Sequence, residues 1–472
     1  MRGVIAAGHP VTAEAGARVL REGGNAVDAA IGAMLASFVA EPLLTGLGAG
    51  GYMLVTGPRR DAVLLDFFVE APGRDGDGAA RGSLVPVVVS FGDADQVFHI
   101  GAASCGIHGT PAGICAASAR FGSLPLADLT AYAARLAREG VVINEQQAYI
   151  YELLVPINAT TAEAAAAFVP GGSPPRAGDL VRLPELADAL DRLGAEGAAP
   201  FYTGDIGAAI VEWLGERGGM VTRADLAAYA VVPREPLRVD YRGRRVLTNA
   251  PPNAGGPLLA IALEHLASSA APPGVDDLLA AMEAAQAART PEFLTRLGST
   301  THISALDEEG TACSVTCSNG EGSAELVPGT GVHLNNMLGE EDLNPLGFFT
   351  YPPGRRLPSM MAPTIVCGPE GPEIVLGSAG SNRIRSALLQ VIVNVLDRDM
   401  DIGAAIRAPR VHVEAGTTYA EPGVPEPTGR AVARFRAPNL FFGGVQAVRR
   451  LPGGASLEGA GDPRRGGAAV SA

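Results

Sequence analysis

Long apolar runs are missing from this chain. No segment approaches twenty uninterrupted apolar residues, so nothing in it reads as a membrane-spanning helix and no membrane partner is expected. Cysteine is scarce, and Cys105, Cys115, Cys313, Cys317 and Cys367 form an odd set without C-x-x-C spacing. They indicate neither a disulfide framework nor a zinc site and read as buried thiols. Clustered basic charge is absent as well. The chain has 36 basic and 50 acidic residues, a net charge of −14, and no basic run longer than a pair such as Arg464–Arg465. Nucleic acid is therefore not an expected partner. Seven scattered histidines (His9, His99, His108, His265, His302, His333, His412) lack an H-E-x-x-H pattern, so no metal or other cofactor is expected. The glycine loop Gly46-Leu47-Gly48-Ala49-Gly50-Gly51 lacks G-x-G-x-x-G spacing and Gly-Lys-Ser/Thr, and it precedes a strand, which argues against phosphate binding.

What is present is apolar and loop-rich. Hydrophobic residues make up 47% and charged ones 18%, with 61 Gly and 36 Pro among 472 residues, enough for two or three domains or one large layered domain. The first ten residues, Met1 to Pro10, are too short and too Gly/Pro-broken for a signal peptide. The expectation is a soluble cytoplasmic protein, or a secreted or periplasmic one if a leader precedes it.

Residues 12 to 40 carry two helical patterns, with Thr12 as the expected N-cap of the first and a break at Gly23-Gly24-Asn25. Strands are expected over Tyr52–Val55 and Val63–Asp66, and a surface excursion over 75 to 95. Helical patterns then recur at 125–137, 161–168, 183–194, 206–217, 257–268 and 276–289. From Thr300 the pattern changes to hairpins, Thr301–Leu306 with Ala312–Cys317 and Thr364–Cys367 with Glu373–Leu376, before a helix over Ile384–Leu396. Strand pairs alternating with blocks of helix predict an α+β fold of two packed sheets with helices outside, a four-layer αββα sandwich. No internal repeat is visible.

Gly298-Ser299-Thr300-Thr301-His302 places a hydroxyl residue where helix gives way to sheet. If the Ser299–Thr300 bond is cleaved, Thr300 gains an α-amine with an ordinary pKa of about 7.7–8.0, suited to a general base. Nucleophile and base then share one residue. Taken alone, a threonine-rich strand start is ordinary β-propensity.

Several further stretches, in order along nearly the whole chain, resemble gamma-glutamyltransferases, members of the N-terminal-nucleophile hydrolase superfamily. They are Gly23 to Ala30 with the glycine loop, Pro251 to Gly256, Thr300 to Ser304, Pro328-Gly329-Thr330-Gly331 with Leu334-Asn335-Asn336, Pro363 to Val366, Gly377 to Gly380, and Gly461 to Gly467. The resemblance implies the αββα sandwich of that superfamily and a proenzyme that cuts itself into a large fragment, 1–299, and a small one, 300–472. The two would stay folded as one unit, with a dimer of such pairs left open. Thr300 would be the nucleophile, Thr301 the family's second threonine and Ser318 a hydroxyl assisting it. Gly380 and Ser381 match the glycine pair whose N–H groups hold the oxyanion, and Asn319, Glu340 and Ser359 match substrate-binding positions.

The sequence also departs from the family. Phe68 stands where an arginine binds the substrate's α-carboxylate, and Met360 replaces the second of two serines beside it. Met337 stands where a polar residue is common, and the loop 343–354 is short. The expected reaction is cleavage of gamma-glutamyl amides such as glutathione through an acyl-enzyme, with transfer to water or an amino acid. The alternatives are an amide hydrolase for a non-glutamyl acyl group and an unprocessed, non-catalytic binding protein. Arg383 or Arg356 would have to replace the missing carboxylate contact.

Overall fold

Two antiparallel sheets form the centre of the molecule because both of their faces carry apolar side chains, and each sheet needs a partner on either side. The computed structural model describes residues 1–58, 60–75, 82–90, 95–269, 272–288, 300–344, 346–414, 416–454 and 456–472. Among these, thirteen strands build the two central sheets. They are β1 (Gly3–Ala7), β2 (Gly50–Gly57), β3 (Arg60–Phe67), β4 (Val232–Arg234), β5 (Leu237–Tyr241), β6 (Arg244–Thr248) and β7 (Thr301–Asp307). The rest are β8 (Ala312–Ser318), β9 (Thr364–Gly368), β10 (Gly371–Ala379), β11 (Gly444–Arg450), β12 (Leu457–Ala460) and β13 (Ala468–Ser471). The first sheet runs β13-β1-β7-β8-β2-β3-β4 and the second β12-β11-β10-β9-β6-β5.

Between the sheets lies an apolar layer that includes Val4, Leu54, Leu306, Ile365, Val375 and Val448. His302 is buried in the same layer, bonded to Thr316 Oγ1 at 2.8 Å and Ser304 Oγ at 2.9 Å, and burial lowers its pKa to about 3. Helices α1 (Pro10–Arg21) and α2 (Ala26–Ala40) cover the outer face of the first sheet, and every residue of α2 is buried. The outer face of the second sheet is covered by α3 (Gly255–Ala267) and α4 (Arg383–Leu396). The four layers and the α+β class are as the sequence pattern predicts.

Local signals account for the element ends. Asn25 Oδ1 accepts from the N–H groups of Val27 and Asp28, and Asp28 accepts back from Asn25 N–H, a capping box that starts α2. The expected cap of α1 is corrected. His9 Nδ1 accepts from Val11 N–H at 3.1 Å and Pro10 fills the first turn, so Thr12 lies inside the helix with its hydroxyl free to reach elsewhere. The described part of the 75–95 excursion holds a strand, Val85–Ser90, paired with Asp95–Ile100. Three of the cysteines are buried, while Cys115 and Cys367 are half-buried. Residues 289–299, including the expected cleavage-site residue Ser299, lie outside the described residues. Among the described residues no helix is long and apolar enough to cross a membrane.

Candidate active site

Thr300 immediately precedes β7, an inner strand of the first sheet, and is 5% exposed. Register does the positioning: Thr301 pairs with Cys317, which sets Thr300 beside Ser318 at the end of β8. From there Thr300 borders two small cavities, one on each side.

The rear crevice holds Gly8, Glu41, Thr301, Ala379 and Arg465. Glu41, at the C-terminal end of α2, accepts hydrogen bonds from Thr301 Oγ1 and Thr12 Oγ1, both at 2.9 Å. This is the use of the Thr12 hydroxyl. Burial drives the Glu41 pKa up to about 7 against those two hydrogen bonds and the nearby charge of Arg465. Arg465 is itself lowered to about 10 by burial. A Cβ at position 8 would lie 2.7 Å from Glu41 Oε2 and 3.1 Å from Thr301 Oγ1, so a side chain there would displace the carboxylate.

Glu41 and Arg465 were not singled out from sequence. Glu41 did leave a signal, a single acid closing a run of fourteen apolar or small residues with one aspartate, just before Pro42.

The chain turns from β10 into α4 through Gly380 and Ser381. Gly380 has φ +115° and Ser381 φ +47°, so both occupy left-handed backbone regions. The turn lies at the positive end of a fourteen-residue helix, where N–H groups are suited to an oxyanion. Behind it, Asn382 Nδ2 donates to Glu414 Oε1 at 2.6 Å and Arg383 pairs with Glu414 Oε2 at 3.0 Å. The guanidinium of Arg383 also lies 4.1 Å over the Phe441 ring.

The front cavity brings together Thr300, Ser318, Glu340, Ser359 and Ser381 with Phe68, Met337, Leu343, Met360, Met361 and Ile384. Its volume is only about 30 Å³, room for little more than a water. Ser359 Oγ accepts from Met361 N–H at 3.0 Å, and Ser318 Oγ accepts from Gly320 N–H at 2.9 Å. Asn319 is buried next to this group but does not border the cavity. Its Nδ2 donates to the carbonyls of His333 and Leu334 at 3.3 and 3.5 Å.

Phe68 is fully buried and stacked on Tyr52 with ring centroids 5.4 Å apart. Arg356 does not stand in for the arginine missing there. Its Nη1 donates to the Phe68 carbonyl at 2.5 Å, it pairs with Asp66 and Glu70 at 3.5 and 3.4 Å, and it lies 4.5 Å over the Tyr229 ring. Glu340 is thus the one ionisable side chain in the cavity wall among the described residues.

A family model described as gamma-glutamyltranspeptidase matches residues 12–295 and 287–472. The chain belongs to the gamma-glutamyltranspeptidase family. Relatives within reach of this member carry two kinds of name. The Acylase ACY 1 proenzyme of Pseudomonas sp. (strain SE83) is 30% identical over 515 residues, covering 97% of this chain and 91% of its own. The Glutathione hydrolase proenzyme of Escherichia coli (strain K12) is 29% identical over 549 residues, covering 98% and 90%. Among solved structures, cephalosporin acylase from Bacillus halodurans matches 100% of this chain and 96% of its own with a TM-score of 0.84 at 24% identity, a likeness of fold. A gamma-glutamyltranspeptidase-family member with such relatives is a hydrolase or acyltransferase of the N-terminal-nucleophile type.

Proposed function

We propose that the chain is a self-cleaving threonine amide hydrolase of acylase character, acting on acyl groups that lack a free α-carboxylate. Maturation starts when Thr300 Oγ attacks the Ser299 carbonyl carbon. The C–N bond breaks, the amine takes the proton, and water hydrolyses the resulting ester. In turnover the new α-amine accepts the hydroxyl proton as Oγ attacks the substrate amide, and the proton passes on to the leaving amine. The Gly380 and Ser381 N–H groups hold the oxyanion. Water then releases the acyl group from Thr300.

The observation that carries the acyl preference is the charge of the front wall. Glu340 is buried there, while Arg356 and Arg383 are engaged outside it. Among the described residues that line it, a substrate carboxylate would meet apolar side chains, one acid and no cation. Apolar acyl chains suit Met337, Met360 and Met361, whose flexible side chains can move aside. A second reading retains the gamma-glutamyl group and is favoured by Glu340, an anionic partner for its amine, and by Ser359.

The test has two arms. Residues 1–472 contain no lysine, so in a protein of this sequence the amines are that of its N-terminus and, after cleavage, that of Thr300. Incubated protein should give two bands on a denaturing gel, two amines per molecule and Thr300 as a new N-terminus, and Thr300→Ala should give one band and one amine. A wild-type chain that stays intact overturns the enzyme reading in favour of a binding protein. Hydrolysis of gamma-glutamyl anilide is then compared with that of the 4-aminobutyryl anilide, which lacks only the α-carboxylate. The 4-aminobutyryl anilide should have an equal or higher kcat/KM; a loss of ~100-fold or more, the scale of a broken buried ion pair, overturns the acyl preference.

A further inference from the structure

A larger cavity, about 390 Å³, lies away from the Thr300 pocket. Two stretches singled out in the sequence but not bordering Thr300 contribute to its wall: Pro328 and Gly331, and Gly46 and Leu47 at the start of the glycine loop. Its floor is apolar, built from Phe38, Leu47, Phe168, Leu186 and the ring of His333. His333 is 5% exposed and tilted on Phe168 with ring centroids 5.2 Å apart. Neither of its ring nitrogens completes a hydrogen bond of ordinary geometry, though the Pro42 carbonyl is placed to act as a weak acceptor and raises its pKa slightly against the effect of burial. Burial lowers its pKa to about 4, so at neutral pH the ring is uncharged and presents one donor and one acceptor. At the mouth stand Glu163, Glu185 and Arg182, two acids to one base. Arg182 Nε donates to the Glu139 carbonyl at 3.1 Å.

The cavity and the nucleophile share one turn of chain. Pro42 and Thr45 border the cavity, while Glu41 and Leu44 border the rear crevice of Thr300. The turn is tight, with Leu44 N–H donating to the Glu41 carbonyl at 2.9 Å. It is also tied to β8: Thr45 Oγ1 donates to Cys317 Sγ at 3.0 Å, and Asn319 N–H donates to the Leu44 carbonyl at 3.0 Å.

We propose that this cavity is a second ligand site for a small uncharged aryl or branched-alkyl molecule bearing one hydrogen-bonding group, and that its occupancy is felt at Thr300 through the Glu41–Thr45 turn. The volume lies in the range of small-molecule sites, the floor supplies apolar contact, and His333 supplies one polar partner at depth. The acids at the mouth disfavour an anion.

N-phenyl-1-naphthylamine is a suitable probe, being uncharged, aromatic and equipped with a single N–H. Fluorescence titration of the mature protein should show saturable 1:1 binding, unchanged in Thr300→Ala. Ala167→Trp, which fills the cavity from the helix Ala162–Phe168, should weaken binding by ~10-fold or more. Ala166→Trp, at the exposed rim of the same wall, serves as a second blocking variant if Ala167→Trp fails to fold. Saturating probe should change the rate of anilide hydrolysis in the wild type and leave it unchanged in the blocked variant. Non-saturable binding, or binding undiminished in both tryptophan variants, overturns the site. Saturable binding with no change in rate overturns the coupling. Simple competition with the anilide that persists in the blocked variant places the probe at Thr300 and overturns both.

Discussion

At the residue scale, Glu41 is the group whose chemistry most depends on its surroundings. An exposed glutamate titrates near 4.5, whereas the buried Glu41 titrates near 7. The folded chain therefore holds a proton that the unfolded chain has released between those values. The stability this supplies is complete below about 4.5 and is lost as pH rises through about 7, ~3 kcal/mol at most. Arg465 faces the same crevice and stays cationic across the window, so it limits the loss without reversing it. Glu41→Gln cannot ionise, and its urea midpoint should fall less than the wild type's between pH 5 and pH 8. Equal falls in the two proteins would show that Glu41 does not titrate in this range. Gly380 allows a second prediction. Its φ of +115° is strained for any L side chain, and a Cβ would sit 2.8 Å from Gly443 Cα. Gly380→Ala should therefore move the turn and lower kcat by ~100-fold or more while the fold, read by circular dichroism, persists. A variant of wild-type rate would remove this turn from the reaction.

These two residues differ in how they can be read from sequence. Gly380 and Thr300 belong to stretches that resemble a known family. Glu41 acquires its role because α2 delivers it to a strand 260 positions away, and no local pattern contains that contact. Phe68 is an intermediate case. The departure at position 68 is visible in the sequence, whereas the pairing of Arg356 with Asp66 and Glu70 and of Arg383 with Glu414 is visible only in the structure.

At the scale of elements, periodicity locates the helices and hairpins well, because burial on one face is a repeating constraint. The first turn of α1 starts earlier than Thr12 suggests, because the His9 side chain caps it and Pro10 opens it. The Val85–Ser90 strand is hidden in the sequence, because its polar and glycine-containing flanks obscure a short pairing with Asp95–Ile100. Packing between elements is less visible still. Gly16 lies where α1 crosses α2 above β1, and a Cβ there would come within 2.9 Å of the Ala29 carbonyl and 2.1 Å of Ile5 Cδ1. Gly16→Ala should cost ~1–3 kcal/mol by overpacking, read as a lower Tm. Because Ile5 pairs with Ala305 on β7, the strain is aimed at the strand that follows Thr300. Adding Ile5→Val removes the closest clashing atom and should restore part of the loss, a coupling that a double-mutant cycle measures. Additive losses would mean that the backbone contact with α2 alone sets the cost.

At the scale of the whole molecule, the proposed cleavage before Thr300 would leave two fragments that cannot part without dismantling both sheets. In the first sheet β7, from the small fragment, lies between β1 of the large fragment and β8 of its own, and β8 in turn pairs with β2. β13, the last strand, pairs with β1, the first. In the second sheet β6 of the large fragment pairs with β9 of the small one. The inter-sheet layer mixes residues of both, Val4 and Leu54 with Leu306 and Ile365. Neither fragment retains a complete sheet, so neither can bury its apolar faces alone. Cleaved protein should elute from a sizing column where the intact Thr300→Ala chain elutes, with both fragments in one peak. It should also unfold in a single transition, with the fragments separating only in denaturant. Fragments that resolve into two folded species under native conditions would show that residues 1–299 and 300–472 are separable domains and that the interleaved sheets described here do not hold them together.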